Sequence, residues 1–194
     1  MKISKTLICA ALLGLGAQAQ AAQYLGAAGA GVTTTDFSSV GLLGFDLDFS
    51  QRSQVSLSFA VQAQDLAPGA LSFNALVRNL SGLGFEAMSV QLEGARFALP
   101  AGSIGTDGFQ SVTRSGYAAD RLWAPFSKPG VTTEFYIGNP LASAGAGDWT
   151  LDLSGRQVGD TFRVTVAVPE PGSYALMLAG LAAVGFVARR RRQG

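Results

Sequence analysis

Alternation of apolar and polar side chains with a period of two is the feature that most limits the fold of this chain. Half-buried strands have this period, because successive side chains of a strand point to opposite faces. Glycine- and proline-containing turn signals separate the alternating stretches, and no segment between residues 23 and 168 shows a clear helical stripe. The sequence therefore predicts an all-β domain of eight or nine strands, folded as a single β-sandwich that is jelly-roll-like or immunoglobulin-like. The alternating stretches are 54–63, 88–92, 131–137, 149–153 and 161–168.

The first 22 residues have the layout of a secretory signal peptide. Lys2 and Lys5 precede an apolar run at 6–17, which is too short for an ordinary membrane span. Small residues then offer three cleavage sites, Ala17-Gln18-Ala19, Ala19-Gln20-Ala21 and Gln20-Ala21-Ala22. We therefore expect export through the Sec translocon, removal of residues 1–22 by signal peptidase near Ala22, and an exported domain at 23–168. A buried N-terminal helix is the alternative.

Cysteine and histidine usage excludes several kinds of chemistry. The one cysteine, Cys9, lies in the predicted signal peptide, and the chain has no histidine. The exported domain thus has no disulfide, no Ser-His-Asp or Cys-His catalytic group and no ordinary zinc site. Carboxylate chemistry and calcium binding need only oxygen ligands and remain open. No cofactor is expected.

The charge of the exported domain argues against nucleic acid as a partner. Residues 23–168 hold eight basic and twelve acidic side chains, a net charge of −4. Nucleic-acid binding needs a cationic surface, so no such partner is expected.

The C-terminal segment predicts a membrane-directed tail. Pro169, Glu170 and Pro171 come first, and the two prolines keep this tripeptide extended and accessible. An apolar run at 174–188 follows, with a helical length of about 23 Å. Arg189, Arg190, Arg191 and Arg192 then act as a membrane stop that stays cytoplasmic. The domain before this transmembrane helix is thereby placed outside the inner membrane.

The order of tripeptide, apolar span and arginine cluster resembles the PEP-CTERM sorting signal, over residues 169–194. The resemblance implies that an exosortase, a membrane-embedded cysteine transpeptidase, recognises Pro169, Glu170 and Pro171 and removes the tail. It also implies a Gram-negative host that makes exopolysaccharide, often in biofilms. The expected location is an inner-membrane-anchored precursor with a periplasmic domain, and then the cell surface or extracellular matrix. A plain tail anchor behind a proline linker is the alternative.

A second resemblance concerns the domain itself. Residues 44–49 read Gly-Phe-Asp-Leu-Asp-Phe, and residues 159–162 read Gly-Asp-Thr-Phe. Both are similar to the FxDxF-type subgroup of PEP-CTERM proteins. The match departs from the subgroup's pattern, because aligning Phe45 with Phe49 puts Leu47 where the aspartate belongs.

Two groups of side chains are candidate ligand sites. Asp46 and Asp48 are two positions apart on a predicted strand, so both point away from its apolar face. They are candidates for a ligand or calcium site, or for an acid–base pair, against the alternative of a solvated strand face. Aromatic side chains are candidates for a sugar platform, against the alternative of core packing. They are Tyr117, Trp123, Phe126 and Tyr136.

Two classes of function fit these expectations. The first is a non-catalytic surface or matrix protein with a binding or structural role and exopolysaccharide as the expected contact. The second is a small glycan-acting hydrolase that uses paired carboxylates about 5 to 10 Å apart in a cleft.

Overall fold

The computed structural model describes residues 22–107, 110–112, 114–126, 132–141 and 147–168. The predicted signal peptide up to residue 21 lies outside these residues. The sorting tripeptide, the predicted transmembrane helix and Arg189 to Arg192 also lie outside them. Within the described ranges, no helix combines the length and the apolar character that crossing a membrane requires.

The described residues form fourteen strands and one short 3-10 helix, Ala63–Leu66. The fold is all-β, as predicted, but the strand count exceeds the expected eight or nine. Several additional strands have only two or three residues, which is too few to show an alternating pattern. The strands are β1 Gln23–Ala28, β2 Val32–Asp36, β3 Leu42–Phe49, β4 Gln54–Ala60, β5 Leu71–Asn79, β6 Ala87–Glu93, β7 Arg96–Phe97, β8 Ile104–Thr106, β9 Gln110–Ser111, β10 Gly116–Tyr117, β11 Arg121–Pro125, β12 Glu134–Ile137, β13 Trp149–Asp152 and β14 Thr161–Ala167.

The strands form two sheets. One sheet has six strands in the order β1-β4-β14-β6-β11-β10. The other has eight, with β2-β3-β5-β12-β8-β9 as its main path and β13 and β7 attached beside β5. Among the described strands, all pairs are antiparallel except β3 and β5, which run parallel over eight residues of each strand. The connection between these two passes through β4 in the opposite sheet, so the chain crosses the sandwich twice.

The hydrophobic core lies between the two sheets. The large apolar side chains of β4, β6 and β14 point inward, as in β4, where Val55, Leu57 and Phe59 are buried. Aromatic rings meet across the sandwich: the Phe45 ring of β3 lies 5.8 Å from the Phe59 ring of β4. Burial of apolar groups, which contributes about 0.8 kcal/mol for each methylene, makes this layer a main source of stability.

One local prediction needs correction. The stretch at 131–137 does not show the predicted alternation of burial. Thr132 is buried while Thr133 is exposed, and in β12 Tyr136 is buried together with Phe135 and Ile137. The first strand, β1, is irregular near its start. A register shift between Tyr24 and Gly26 marks a bulge there.

Candidate functional site

The two aspartates singled out in the sequence lie side by side on the outer face of the eight-stranded sheet. Asp46 and Asp48 alternate on β3 with the buried Leu47 and Phe49. The parallel register places Asp48 directly beside Arg78 of β5. Arg78 therefore meets both carboxylates, with Nε 2.6 Å from Asp48 Oδ1 and one terminal nitrogen 3.0 Å from Asp46 Oδ2.

This arrangement neutralises part of the acidic pair. The hydrogen bond with Asp48 raises the pKa of the Arg78 guanidinium above its ordinary value, since the charged form gains a charged partner. The same guanidinium spans Asp46 and Asp48, so it ties β3 to β5 across their parallel register. In the part of the chain that the structure describes, no group of three or more Asp, Glu, His or Cys side chains is placed to hold a metal ion.

Next to Arg78 on the same sheet lies a second group of polar side chains, formed by Glu134, Tyr136 and Asp107. Glu134 of β12 is the register partner of Arg78, and its backbone N–H donates to Asp107 Oδ1 at 3.1 Å. The Tyr136 hydroxyl donates to the Glu134 carboxylate. Burial, with Glu134 as the next cause, raises the pKa of Tyr136 from 10.0 to about 12. The sequence indicated neither Arg78 nor Asp107 as a partner, because their proximity depends on a register between strands distant in the chain.

The four aromatic residues considered as a platform do not lie together. Phe126 and Tyr136 are buried. Tyr117 and Trp123 are 46% and 41% exposed, but they occupy opposite faces of the six-stranded sheet. Tyr117 is paired with the buried Leu122 and its ring lies 5.5 Å from that of Trp149. Trp123 remains as the outward-facing aromatic of the set.

Polar side chains surround Trp123 on the outer face of the six-stranded sheet. Its ring lies against Gly116, where an added Cβ would come within 2.4 Å of the ring. The Arg121 guanidinium is 5.5 Å from the ring centroid. Ser89 and Gln91 of β6 are the register partners of Trp123 and Arg121. An aromatic surface with hydroxyl, amide and guanidinium groups beside it can stack on a sugar ring and hydrogen-bond its hydroxyls.

The end of the last strand bears directly on the C-terminal segment. Val168 is buried, and its backbone N–H donates to the Ser53 carbonyl at 3.0 Å. The folded domain therefore continues to the residue that precedes Pro169.

Comparison with protein-family models finds the PEP-CTERM protein-sorting motif at residues 167–192. The chain carries a PEP-CTERM sorting signal. This match confirms the resemblance inferred from the tripeptide, the apolar run and the arginines, and it implies an exported protein with exosortase as its processing partner. The PEP-CTERM match begins on β14, so it covers the tail and only the last residues of the domain. It does not extend to residues 44–49, and the FxDxF-type subgroup stays a hypothesis.

Comparisons with curated proteins and with solved structures give no match. The PEP-CTERM motif therefore identifies the sorting signal, and the geometry of the described residues is the basis for proposing a role for the domain.

Proposed function

We propose that this chain is an exosortase-sorted surface or extracellular-matrix protein of a Gram-negative bacterium that makes exopolysaccharide, with a non-catalytic binding or structural role. The observation that carries the proposal is the position of the PEP-CTERM motif. It begins where the folded β-domain ends, since Val168 is the last buried residue before Pro169. A signal peptide, an exported sandwich and a membrane-directed tail then follow one another without an intervening linker.

In the proposed export and sorting of this protein, the N-terminal segment directs export and the C-terminal segment directs anchoring and processing. Signal peptidase removes the leader after Sec export, and the apolar run at 174–188 holds the precursor in the inner membrane. The arginines stay on the cytoplasmic side, because positive charges near a span resist translocation. Exosortase then recognises Pro169, Glu170 and Pro171 at the periplasmic face of the inner membrane. Its cleavage releases the domain to the surface.

Binding is favoured over catalysis by the state of the acidic side chains. A glycosidase needs one carboxyl that holds a proton and another that stays ionised, facing each other across a cleft. Asp46 and Asp48 instead share one guanidinium on a sheet face. The outward Trp123, with Arg121 and Gln91 nearby, offers a flat contact for a glycan of the matrix.

Processing is tested by substitutions in the tail. We expect Glu170→Gln to accumulate as a membrane-bound, uncleaved precursor, because the charge that the enzyme reads is lost while the span is unchanged. Replacing Arg189 to Arg192 with Ser should instead disturb topology and retention. Fractionation, immunoblotting against the β-domain and intact mass in an exosortase-positive host separate these two defects. Normal processing of Glu170→Gln would reduce the tripeptide to a linker and the tail to a simple anchor.

A binding experiment tests the proposed glycan contact around Trp123, on the outer face of the six-stranded sheet. Trp123→Ala should weaken retention of the exported protein on the host's own exopolysaccharide, because the aromatic stacking surface is removed. Phe37→Ala is a matched control, since Phe37 is also an exposed aromatic and lies next to β2, in the other sheet. Unchanged retention of Trp123→Ala would contradict a role for this face. Release of reducing sugar ends during incubation would instead support the hydrolase.

A further inference from the structure

One buried carboxylate has an oxygen without a partner. Asp65 lies in the 3-10 helix that follows β4 and is 2% exposed. Its Oδ2 accepts the Gln62 backbone N–H at 2.7 Å. Its Oδ1 is buried and accepts no hydrogen bond from any residue that the structure describes. Burying an ionised carboxylate without a full set of partners is costly, so a cation or a further hydrogen-bond donor beside Oδ1 would stabilise the folded domain.

The first described residue of the chain lies at the same place. β1 begins with Gln23 opposite Ala60, so Ala22 stands beside the residues that lead from β4 into the 3-10 helix. Ala22 is 3% exposed and belongs to the hydrophobic core. Burial raises the pKa of Asp65, while the backbone N–H groups of Gln62 and Ala22 oppose that rise. The nitrogen of Ala22 therefore already lies within electrostatic reach of the carboxylate.

We propose that the signal peptide is cleaved between Ala21 and Ala22, and that the new α-ammonium group of Ala22 forms a buried ion pair with the Asp65 carboxylate. The inference rests on the proposed export. Hydrolysis adds one water across the amide bond: Ala21 leaves with a carboxylate, and the amine of Ala22 takes a proton at neutral pH. An amide nitrogen that can donate one hydrogen bond thereby becomes a cation that can donate three.

The geometry selects among the three sites that the sequence offers. Cleavage after Ala19 would leave two residues ahead of Ala22 and keep its nitrogen an uncharged amide. Cleavage after Ala22 would remove a core residue and start the chain at the exposed Gln23. Cleavage after Ala21 has small residues at both recognition positions, Ala19 and Ala21, and places the charge at Asp65. Residue 22, assigned to the signal peptide from the sequence, then becomes the first residue of the exported domain.

The first experiment reads the N-terminus. The full-length precursor is exported by the host, and the protein outside the inner membrane is analysed by N-terminal sequencing and intact mass. We expect the sequence Ala-Gln-Tyr-Leu. An exported protein that begins at Gln20 or Gln23 would overturn the inference while leaving the proposed export and sorting intact. Failure of export itself would count against the proposed function.

The second experiment measures the ion pair. After leader removal Lys128 is the one lysine of the chain, so Lys128→Arg leaves the α-amine as the one amine open to acetylation. An α-amine paired with a buried carboxylate has a raised pKa, and each unit lowers the reactive neutral fraction about tenfold. We expect acetylation at neutral pH to be about tenfold faster in Asp65→Asn than in the parent. Asp36→Asn, which alters an exposed carboxylate, should match the parent.

A further variant covers the case in which Asp65→Asn does not fold. One glycine inserted between Ala21 and Ala22 moves the ammonium group one residue away from Asp65 while keeping every side chain of the domain. We expect this variant to be acetylated faster and to unfold at a lower temperature than the parent. Equal acetylation rates in the parent and in this variant would overturn the ion pair.

Discussion

Tyr136 illustrates how a single side chain of this sheet depends on its surroundings. The alternation at 131–137 predicts Tyr136 on the polar face of the strand, together with Glu134. In the structure Tyr136 is buried. Its hydroxyl remains satisfied because Glu134, two positions earlier on the same strand, accepts its hydrogen. Sequence alternation alone assigned Tyr136 to an exposed face, since the burial comes from contacts that a period of two does not encode.

The raised pKa of Tyr136 makes the stability of the domain sensitive to alkaline pH. The unfolded tyrosine ionises near 10.0 and the folded one near 12, so above pH 10 the unfolded state loses its proton first. The free energy of unfolding should then fall by up to about 1.4 kcal/mol per pH unit until the folded tyrosine ionises as well. Urea denaturation across this range measures the fall. Tyr136→Phe should lack it, and an identical pH dependence in both proteins would contradict the assignment.

At the scale of strands, the alternating pattern located the long elements but not their neighbours. The apolar faces of β4, β6, β13 and β14 are buried as the sequence predicted. The parallel pairing of β3 with β5 had no sequence signal, because the two strands are separated by a crossover through the opposite sheet. Register between them decides that Asp46 and Asp48 meet Arg78, so the ion pair could not be predicted from the aspartates alone.

Removing the guanidinium should destabilise this parallel pair. We expect Arg78→Met to lower the free energy of unfolding by about 1 kcal/mol, because two neighbouring carboxylates lose their shared counter-charge at a partly exposed site. Added salt should narrow the difference from the parent. Urea denaturation measures both effects.

Two further comparisons test whether Arg78 stabilises the domain through its charge on Asp46 and Asp48. Arg163→Met removes an exposed ion pair with Glu93 and should change stability less than Arg78→Met. Combining Arg78→Met with Asp46→Asn and Asp48→Asn should recover much of the loss, since the repelling charges are gone. A loss that persists in the combined variant would show that Arg78 acts through packing of its side-chain stem rather than through charge.

At the scale of the whole molecule, the described residues contain a complete two-sheet core. Among the residues that the structure describes, the core extends from Ala22 to Val168, and the single cysteine of the chain, Cys9, lies outside them. The sequence therefore predicted the fold class. It did not predict which sandwich topology forms, because strand order depends on long-range pairing.

Residues 22–168 should consequently fold when they are produced alone. We expect a far-ultraviolet circular dichroism spectrum dominated by strands, and one cooperative thermal transition whose midpoint is unchanged by reductant, since no thiol is present. A helix-dominated spectrum would contradict the sandwich. A transition that shifts with reductant would contradict the assumption that packing alone stabilises the domain.

The pairing of β1 and β14 with β4 fixes where the two ends of the domain emerge. Gln23 and Thr161 both lie opposite Ala60, whereas Ala167 lies opposite Gln54. The chain thus enters at one end of the six-stranded sheet and leaves at the other, about 20 Å away along β14. In the proposed precursor, attachment at both ends would lay β14 flat along the bilayer. Removal of the signal peptide would free the N-terminal end. The domain could then rotate about Val168, so that the opposite end of the six-stranded sheet points away from the membrane.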